Sequence, residues 1–208
     1  MPRPAPVRDR ILDAAHELVL EQGFSATTVD AVLESAAASK GAFFHHFPTK
    51  RALGHALVER YAAGDRALLD EALRDAERRS DDPADQLIAL VSAFEDAATD
   101  QESISAPGCL FVSFVYEQVP ETDETRPLIT DAIEYWRARI ADKLAEARNA
   151  GRLADDVDLE SLADHVFTTF EGAFVLARAT GDPGHVRAQL AHLRRYLQLL
   201  LAEPHRAG

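Results

Sequence analysis

The sequence predicts an all-α protein in which a small N-terminal three-helix module precedes a larger helical body. Three observations support this fold class. Apolar residues recur at helical spacing along nearly the whole chain, the breaks between these segments carry proline, glycine and capping residues, and no segment shows the alternation of a half-buried strand. With 208 residues, 47% of them hydrophobic, the chain can bury a substantial core. We place the division at residue 50, between a head of residues 1–50 and a body of residues 51–208.

The first predicted helix ends before Gly23. Its apolar residues fall on one face at helical spacing, and these are Ile11, Ala14, Ala15, Leu18 and Val19. Gly23 stands where a left-handed C-terminal cap is expected, and Phe24 then covers the helix end.

Hydroxyl side chains mark the starts of the next three helices, because each can accept a hydrogen bond from a free amide of the first turn. Thr28 precedes residues 29–35, Ser39 precedes a short helix that must end before Pro48, and Thr49 precedes a long helix over about residues 50–79. The second and third helices are separated only by "AAAS". Three helices with such short connections form a helix-turn-helix pattern.

The body is predicted to contain five further helices, with proline and glycine at most of the breaks between them. They cover about residues 83–100, 107–118, 124–150, 158–180 and 183–203. No apolar run approaches the length of a membrane span, and the single cysteine fits a reducing compartment, so we expect a cytoplasmic protein with no membrane partner.

Charge is distributed unevenly along the chain. The formal net charge of −13 by itself argues against a nucleic-acid partner. However, residues 1–61 carry seven basic and seven acidic side chains, which leaves 15 basic and 28 acidic ones in residues 62–208. No acidic residue lies between Glu34 and Glu59. We therefore expect an anionic partner for the N-terminal part alone.

The stretch "SKGAFFHHFPTKR" combines aromatic and basic residues on one short helix. Phe43 and Phe47 are four residues apart and should enter the core of the head, whereas Phe44 faces outward. Free amides at the helix start favour phosphate, and Gly41 permits close approach of the backbone. Such a helix fits the major groove of double-stranded DNA.

The segment "TTVDAVLESAAASKGAFFHHFPTKRAL", with "RDRILDAAHELVLEQGF" before it, resembles the DNA-binding domain of TetR-family transcriptional regulators. The resemblance implies phosphate contacts at Thr28, Ser39, His46 and Lys50, and groove contacts around Lys40, Gly41, Ala42, Phe44 and His45. It covers about 50 residues, and the rest of the chain matches the family only in the number and length of its helices.

Two residues depart from the family pattern. Ala37 stands in the turn where the family usually has glycine, and Phe44 stands where it usually has tyrosine. The turn must therefore manage without its preferred residue, and contact at Phe44 is reduced to van der Waals packing.

Neither a metal, a cofactor nor an enzymatic activity is expected. His45 and His46 are adjacent, so on a helix they point roughly 100° apart and are poorly placed to share an ion. The chain contains no GxGxxG, phosphate-loop, GxSxG or HExxH sequence. The body is therefore expected to act by binding.

The last two helices are predicted to form a homodimer interface. Their apolar residues are Ala163, Val166, Phe170, Ala173 and Ala177 in one helix, and Leu190, Leu193, Leu197 and Leu200 in the other. The alternative is that these side chains are simply interior core. The resemblance implies dimerisation through two C-terminal helices per subunit, so we expect Leu193 and Leu197 in the seam.

The aromatic residues of the body predict a small-molecule effector site, although core packing is the alternative for each of them. The expected ligand-binding residues are Phe94, Cys109, Phe111, Tyr135, Trp136, Phe167, Phe170, Glu171 and Phe174. Glu117 and Glu171 lie in apolar helical stretches, where they could orient a polar or cationic ligand or face solvent. Cys109, in the expected first turn of its helix, has three open roles: packing, lining the pocket, or reacting with electrophiles or oxidants.

Together these features predict a ligand-responsive repressor that binds a pseudo-palindromic operator as a dimer. Three alternatives remain open: a regulator without ligand control, an activator, and a small all-α enzyme whose basic head only resembles a DNA-binding domain.

Overall fold

The computed structural model describes residues 5–98, 109–117 and 124–202, and within these ranges it contains helices and no strand. The helices are α1 Val7–Gln22, α2 Val29–Ser35, α3 Lys40–His46, α4 Lys50–Arg79, α5 Pro83–Ala97, α6 Leu110–Tyr116, α7 Thr125–Asn149, α8 Leu159–Thr180 and α9 Gly184–Leu200. The all-α prediction is therefore confirmed. No helix in the described ranges is long and apolar enough to cross a membrane.

The predicted N-caps are confirmed by their hydrogen bonds. The hydroxyls of Thr28, Ser39 and Thr49 each accept from the backbone amide three residues later, at 3.1, 3.1 and 3.0 Å. Gly23 differs from the expected left-handed cap, because its φ of 88° is combined with a ψ of 161°. The chain therefore leaves α1 in an extended direction that only glycine adopts easily.

The chain divides into two compact units. The first unit comprises Met1–Gly64 and Gly108–Asp131, and the second comprises Asp65–Pro107 and Ala132–Gly208. This division follows spatial contacts, so it places α6 in the same unit as the first three helices. The division of the sequence at residue 50 stays a prediction.

The core of the first unit is built around α3. Phe43 and Phe47 are buried, with exposed fractions of 0% and 2%, whereas Phe44 is 46% exposed. Ile11, Leu12 and other residues of α1 complete this core. The predicted division of the three phenylalanines is confirmed, and burial of two of them fixes which face of α3 points outward.

The core of the second unit contains the leucines that were expected in a dimer seam. Leu193 and Leu197 are 2% and 0% exposed, and both belong to the same buried cluster as Leu190 and Phe170. The prediction that Leu193 and Leu197 lie between subunits was therefore wrong. Helical spacing identified the apolar face of α9 correctly, but that face packs against helices of its own protomer.

Candidate nucleic-acid interface

The outward face of α3 carries most of the residues that were expected to contact DNA. Burial of Phe43 and Phe47 leaves Lys40, Gly41 and Phe44 on the solvent side, together with His45 and His46. The Ser39 cap leaves other amides of the first turn able to donate outward. This face is therefore basic, apolar and rich in donors, as recognition of a groove edge requires.

The packing of the described protomer does not require glycine at position 41. Among the described residues, a Cβ built at this position would have no atom within 4 Å apart from its chain neighbours and the backbone of its own helix. A glycine inside a helix costs about 1 kcal/mol relative to alanine. Since no neighbour in the chain explains the residue, the open space in front of it favours close approach by a partner's backbone.

The turn between α2 and α3 is stabilised by an arginine that sequence analysis missed. Ala37 has a φ of 48°, in the left-handed region that glycine normally occupies. Arg10 donates from Nε to the carbonyl of Ala36 at 3.2 Å and from Nη2 to that of Ala37 at 3.4 Å. Arg10 on α1 therefore compensates carbonyl groups at the end of α2.

Lys50 is held against the turn that follows α1. Its Nζ donates to the carbonyl of Ser25 at 3.0 Å and lies 4.7 Å from the centre of the Phe24 ring. Burial lowers the pKa of Lys50, and the nearby charge of Glu117 opposes this shift. The contact with Ser25 leaves other ammonium protons able to donate to a phosphate. The expected phosphate contact of Lys50 therefore stays a prediction.

The two adjacent histidines of α3 contact each other edge to face, with ring centres 5.0 Å apart. Across the residues that the structure describes, no group of three or more histidine, cysteine or acidic side chains could hold a metal ion. The rings stand at the end of α3, where imidazole N–H groups can donate to a phosphate backbone.

Three of the expected effector residues lie together in the second unit. Phe94, Trp136 and Phe170 are in mutual ring contact, with centre-to-centre distances of 5.6, 5.3 and 6.0 Å. Trp136 donates its Nε1 proton to Asp65 Oδ2 at 2.5 Å. Burial raises the pKa of the Asp65 carboxyl, and the Trp136 hydrogen bond and the charge of Arg66 oppose that rise.

Tyr135, another expected effector residue, follows Glu134 and precedes Trp136 on α7, and it contacts two charged residues of α4 that sequence analysis missed. The Tyr135 hydroxyl donates to Asp70 at 2.7 Å, and the Arg66 guanidinium lies 5.3 Å from the Tyr135 ring centre. Arg66 Nε is buried and has no hydrogen-bond partner within the described part of the chain. Asp70 and Arg66 were not identified from the sequence because charged residues occur all along α4, so nothing in their spacing distinguishes these two.

The other expected effector residues are divided between the units. Phe167 and Phe174 are partly buried against the core of the second unit, and Glu171 is partly buried on the same helix. Cys109 and Phe111 are buried in the first unit. Cys109 is the N-cap of α6, so the expectation that it lies within the first turn was off by one residue.

Comparisons with known proteins agree along both parts of the chain. Residues 11–57 match the family "Bacterial regulatory proteins, tetR family", and residues 83–193, more than half of the chain, match "Tetracyclin repressor-like, C-terminal domain". Transcriptional regulator AcuR of Cereibacter sphaeroides is 30% identical over 190 residues, which cover 88% of this chain and 84% of AcuR. The chain belongs to the TetR family of transcriptional regulators.

Two other TetR-family relatives extend this result. The transcriptional repressor DhaR of a Mycobacterium species is 25% identical over 170 residues, covering 82% of this chain and 81% of DhaR. The crystal structure of regulatory protein TetR from Rhodobacter sphaeroides superimposes with a TM-score of 0.77 at 28% identity, covering 92% of this chain and 99% of that one. TetR-family proteins bind operator DNA and dimerise, and the matched N-terminal segment contains every residue expected to contact DNA.

Proposed function

We propose that this TetR-family regulator is a homodimeric repressor that leaves its operator when a small molecule binds the body. The proposal rests on the outward face of α3. Burial of Phe43 sets the orientation of this helix, and the missing side chain at Gly41 lets DNA approach its backbone closely. The relative DhaR is named a repressor, which favours repression over activation.

The proposed DNA contacts divide by chemistry. Phosphate would be bound by Thr28, Ser39, His46 and Lys50, which lie around the ends of α2, α3 and α4. The groove would be entered by Lys40, Gly41, Ala42, Phe44 and His45. Phosphate contacts position the protein and contacts to base edges give the sequence preference, so the two groups should differ in how they affect specificity.

The proposed dimer uses the outer faces of α8 and α9. Large apolar residues are exposed there, and these are Val175, Leu176, Tyr196 and Leu199. On α8, Gly172 also has open space in front of it, because no described residue beyond its neighbours and its own helix backbone would lie within 4 Å of a Cβ there. Packing within the described protomer does not explain glycine at position 172, and exposed apolar residues lie beside it. Both features favour close approach of a helix from a second subunit.

The proposed effector site lies at the aromatic cluster of Phe94, Trp136 and Phe170. An apolar site with a few convergent polar groups is the usual form of a small-molecule site. The buried Arg66 Nε without a partner and the Asp65 carboxyl could supply such groups. Ligand binding would favour one of two states of the dimer by its difference in affinity for them.

The experiment measures binding of the purified protein to the DNA upstream of its own gene by fluorescence anisotropy at several salt concentrations. We expect sequence-specific binding that weakens with salt, and a salt slope lower by about one in Lys40→Ala. Arg79→Ala removes the same charge from an exposed position of α4 and should bind like the wild type. An equal salt slope in all three proteins would reject α3 as the DNA-binding element.

A further inference from the structure

The residue that follows α6 binds the turn that follows α1. The two carboxylate oxygens of Glu117 accept hydrogen bonds from the backbone amides of Phe24 and Ser25, at 2.6 and 2.5 Å. The partners are 93 and 92 residues apart in the chain. Hydrogen bonds to an ionised carboxylate are about twice as strong as those between neutral groups. Glu117 was expected either to face solvent or to orient a ligand, and these two hydrogen bonds fit neither expectation.

The turn is shaped to admit this carboxylate. A Cβ added at Gly23 would lie 2.2 Å from Glu117 Oε1, far inside any permitted contact. Gly23 also has a φ of 88°, which favours glycine. The residue therefore serves two purposes at once, since it allows the chain to leave α1 and allows the carboxylate to approach the amides.

The same turn is held from its other side by α4. Lys50 Nζ donates to the Ser25 carbonyl at 3.0 Å. The Phe24 ring lies against Phe114 of α6, with centres 4.8 Å apart, and a Cβ at Gly54 would be 2.6 Å from it. The turn of residues 23–25 is thus fixed between α6 and α4.

This turn leads directly into α2. The Thr27 hydroxyl donates to the Gly23 carbonyl at 2.7 Å, and Thr28 caps α2 immediately afterwards. The position of α2 in turn sets that of α3, because the two helices are joined by only a few residues. A displacement at the turn therefore changes the orientation of the groove-binding face.

We propose that Glu117 is a positioning residue for operator recognition, through which the end of α6 sets the orientation of the helix-turn-helix. The inference rests on the proposed function, since it presupposes that α3 binds DNA. Glu117 itself would touch no DNA. Its loss should therefore alter the fit to the operator and leave the number of phosphate contacts unchanged.

The test compares Glu117→Gln with the wild type. Glutamine keeps the shape, but it removes the charge and offers only one acceptor oxygen to two amides. We expect operator affinity about tenfold weaker, the equivalent of one lost charge-assisted hydrogen bond, with an unchanged salt slope and unchanged affinity for unrelated DNA. Glu124→Gln, at an exposed glutamate of the same unit, is the matched control and should bind like the wild type.

A second variant approaches the same contact from the other partner. Gly23→Ala should exclude the carboxylate sterically, so the double variant Gly23→Ala/Glu117→Gln should bind little worse than the weaker single variant. Thermal unfolding and sedimentation identify any variant that has lost its fold or dimer, and amide hydrogen exchange should show faster exchange at Phe24 and Ser25 in Glu117→Gln.

The outcomes separate the two proposals. A wild-type protein without sequence-specific binding would overturn the proposed function, and this inference with it. If the wild type binds its operator and folded Glu117→Gln binds with equal affinity and equal preference over unrelated DNA, only the positioning role of Glu117 is overturned. A reduced salt slope in Glu117→Gln would likewise overturn it, because that result indicates lost phosphate contacts.

Discussion

Arg10 Nε lies 3.2 Å from the carbonyl oxygen of Ala36 and donates a hydrogen bond to it across the helix-turn-helix. The two residues are 26 positions apart, so the first helix supports the turn between the second and third. This support explains how the turn forms with alanine at position 37, where φ is 48°. The cost of the left-handed backbone is offset by a contact from a separate helix.

Ala37→Gly should therefore stabilise the protein. Glycine removes the penalty of a Cβ in the left-handed region, roughly 1–2 kcal/mol, and adds backbone entropy of about 0.5–1 kcal/mol to the unfolded chain. We expect the free energy of unfolding to rise by about 0.5–1 kcal/mol in urea titration. Ala63→Gly is the control, at an exposed helical position of α4. Here glycine relieves no strain and only adds backbone entropy to the unfolded chain, so the free energy of unfolding should fall. A destabilised Ala37→Gly protein would contradict the strain assigned to this turn.

The dimer should depend on exposed apolar residues of α8 and α9. Leu176→Glu and Leu199→Glu would bury like charges across a two-fold axis, so sedimentation should show monomers with little operator affinity. Leu68→Glu is the control, because Leu68 is 52% exposed on α4 and its variant should stay dimeric. Leu193→Glu should instead unfold the protomer, since this leucine is buried within it. Dimers in both Leu176→Glu and Leu199→Glu would place the interface elsewhere.

Local signals account for what the sequence predicted well. The caps at Thr28 and Ser39 and the inward face of α3 follow from neighbouring residues alone, and all are present in the structure. The prediction that Leu193 lies in the dimer interface was wrong, because helical spacing shows which face of a helix is apolar but not which molecule covers that face. Glu117 was assigned no partner because its partners lie more than 90 residues earlier, and no periodicity connects them.

His16 should make stability depend on pH. Burial lowers the pKa of His16 below its usual 6.5 and Arg60 lowers it further, whereas Asp13 and Glu17 oppose the shift. Below about pH 6.5 the unfolded chain then binds a proton that folded His16 does not, so the free energy of unfolding falls with falling pH until the lowered pKa is reached. We expect His16→Gln to reduce this fall between about pH 7.5 and 5.5, measured by urea titration. His45→Gln, at an exposed position of α3, is the control, and an unchanged slope in His16→Gln would refute the assignment.

Trp136 should report effector binding directly, because it is the single tryptophan of the chain and contacts both Phe94 and Phe170. Its Nε1 proton is donated to Asp65, so a ligand that enters the cluster must change either ring contacts or this hydrogen bond. We expect compounds selected only for operator release to shift or quench the emission of Trp136 at the concentrations that cause release. In Asp65→Asn the indole keeps an acceptor but the site loses its carboxyl, so effectors that use this carboxyl should require higher concentrations both to release the operator and to change emission. A compound that releases the operator at unchanged emission would place the effector site away from this cluster.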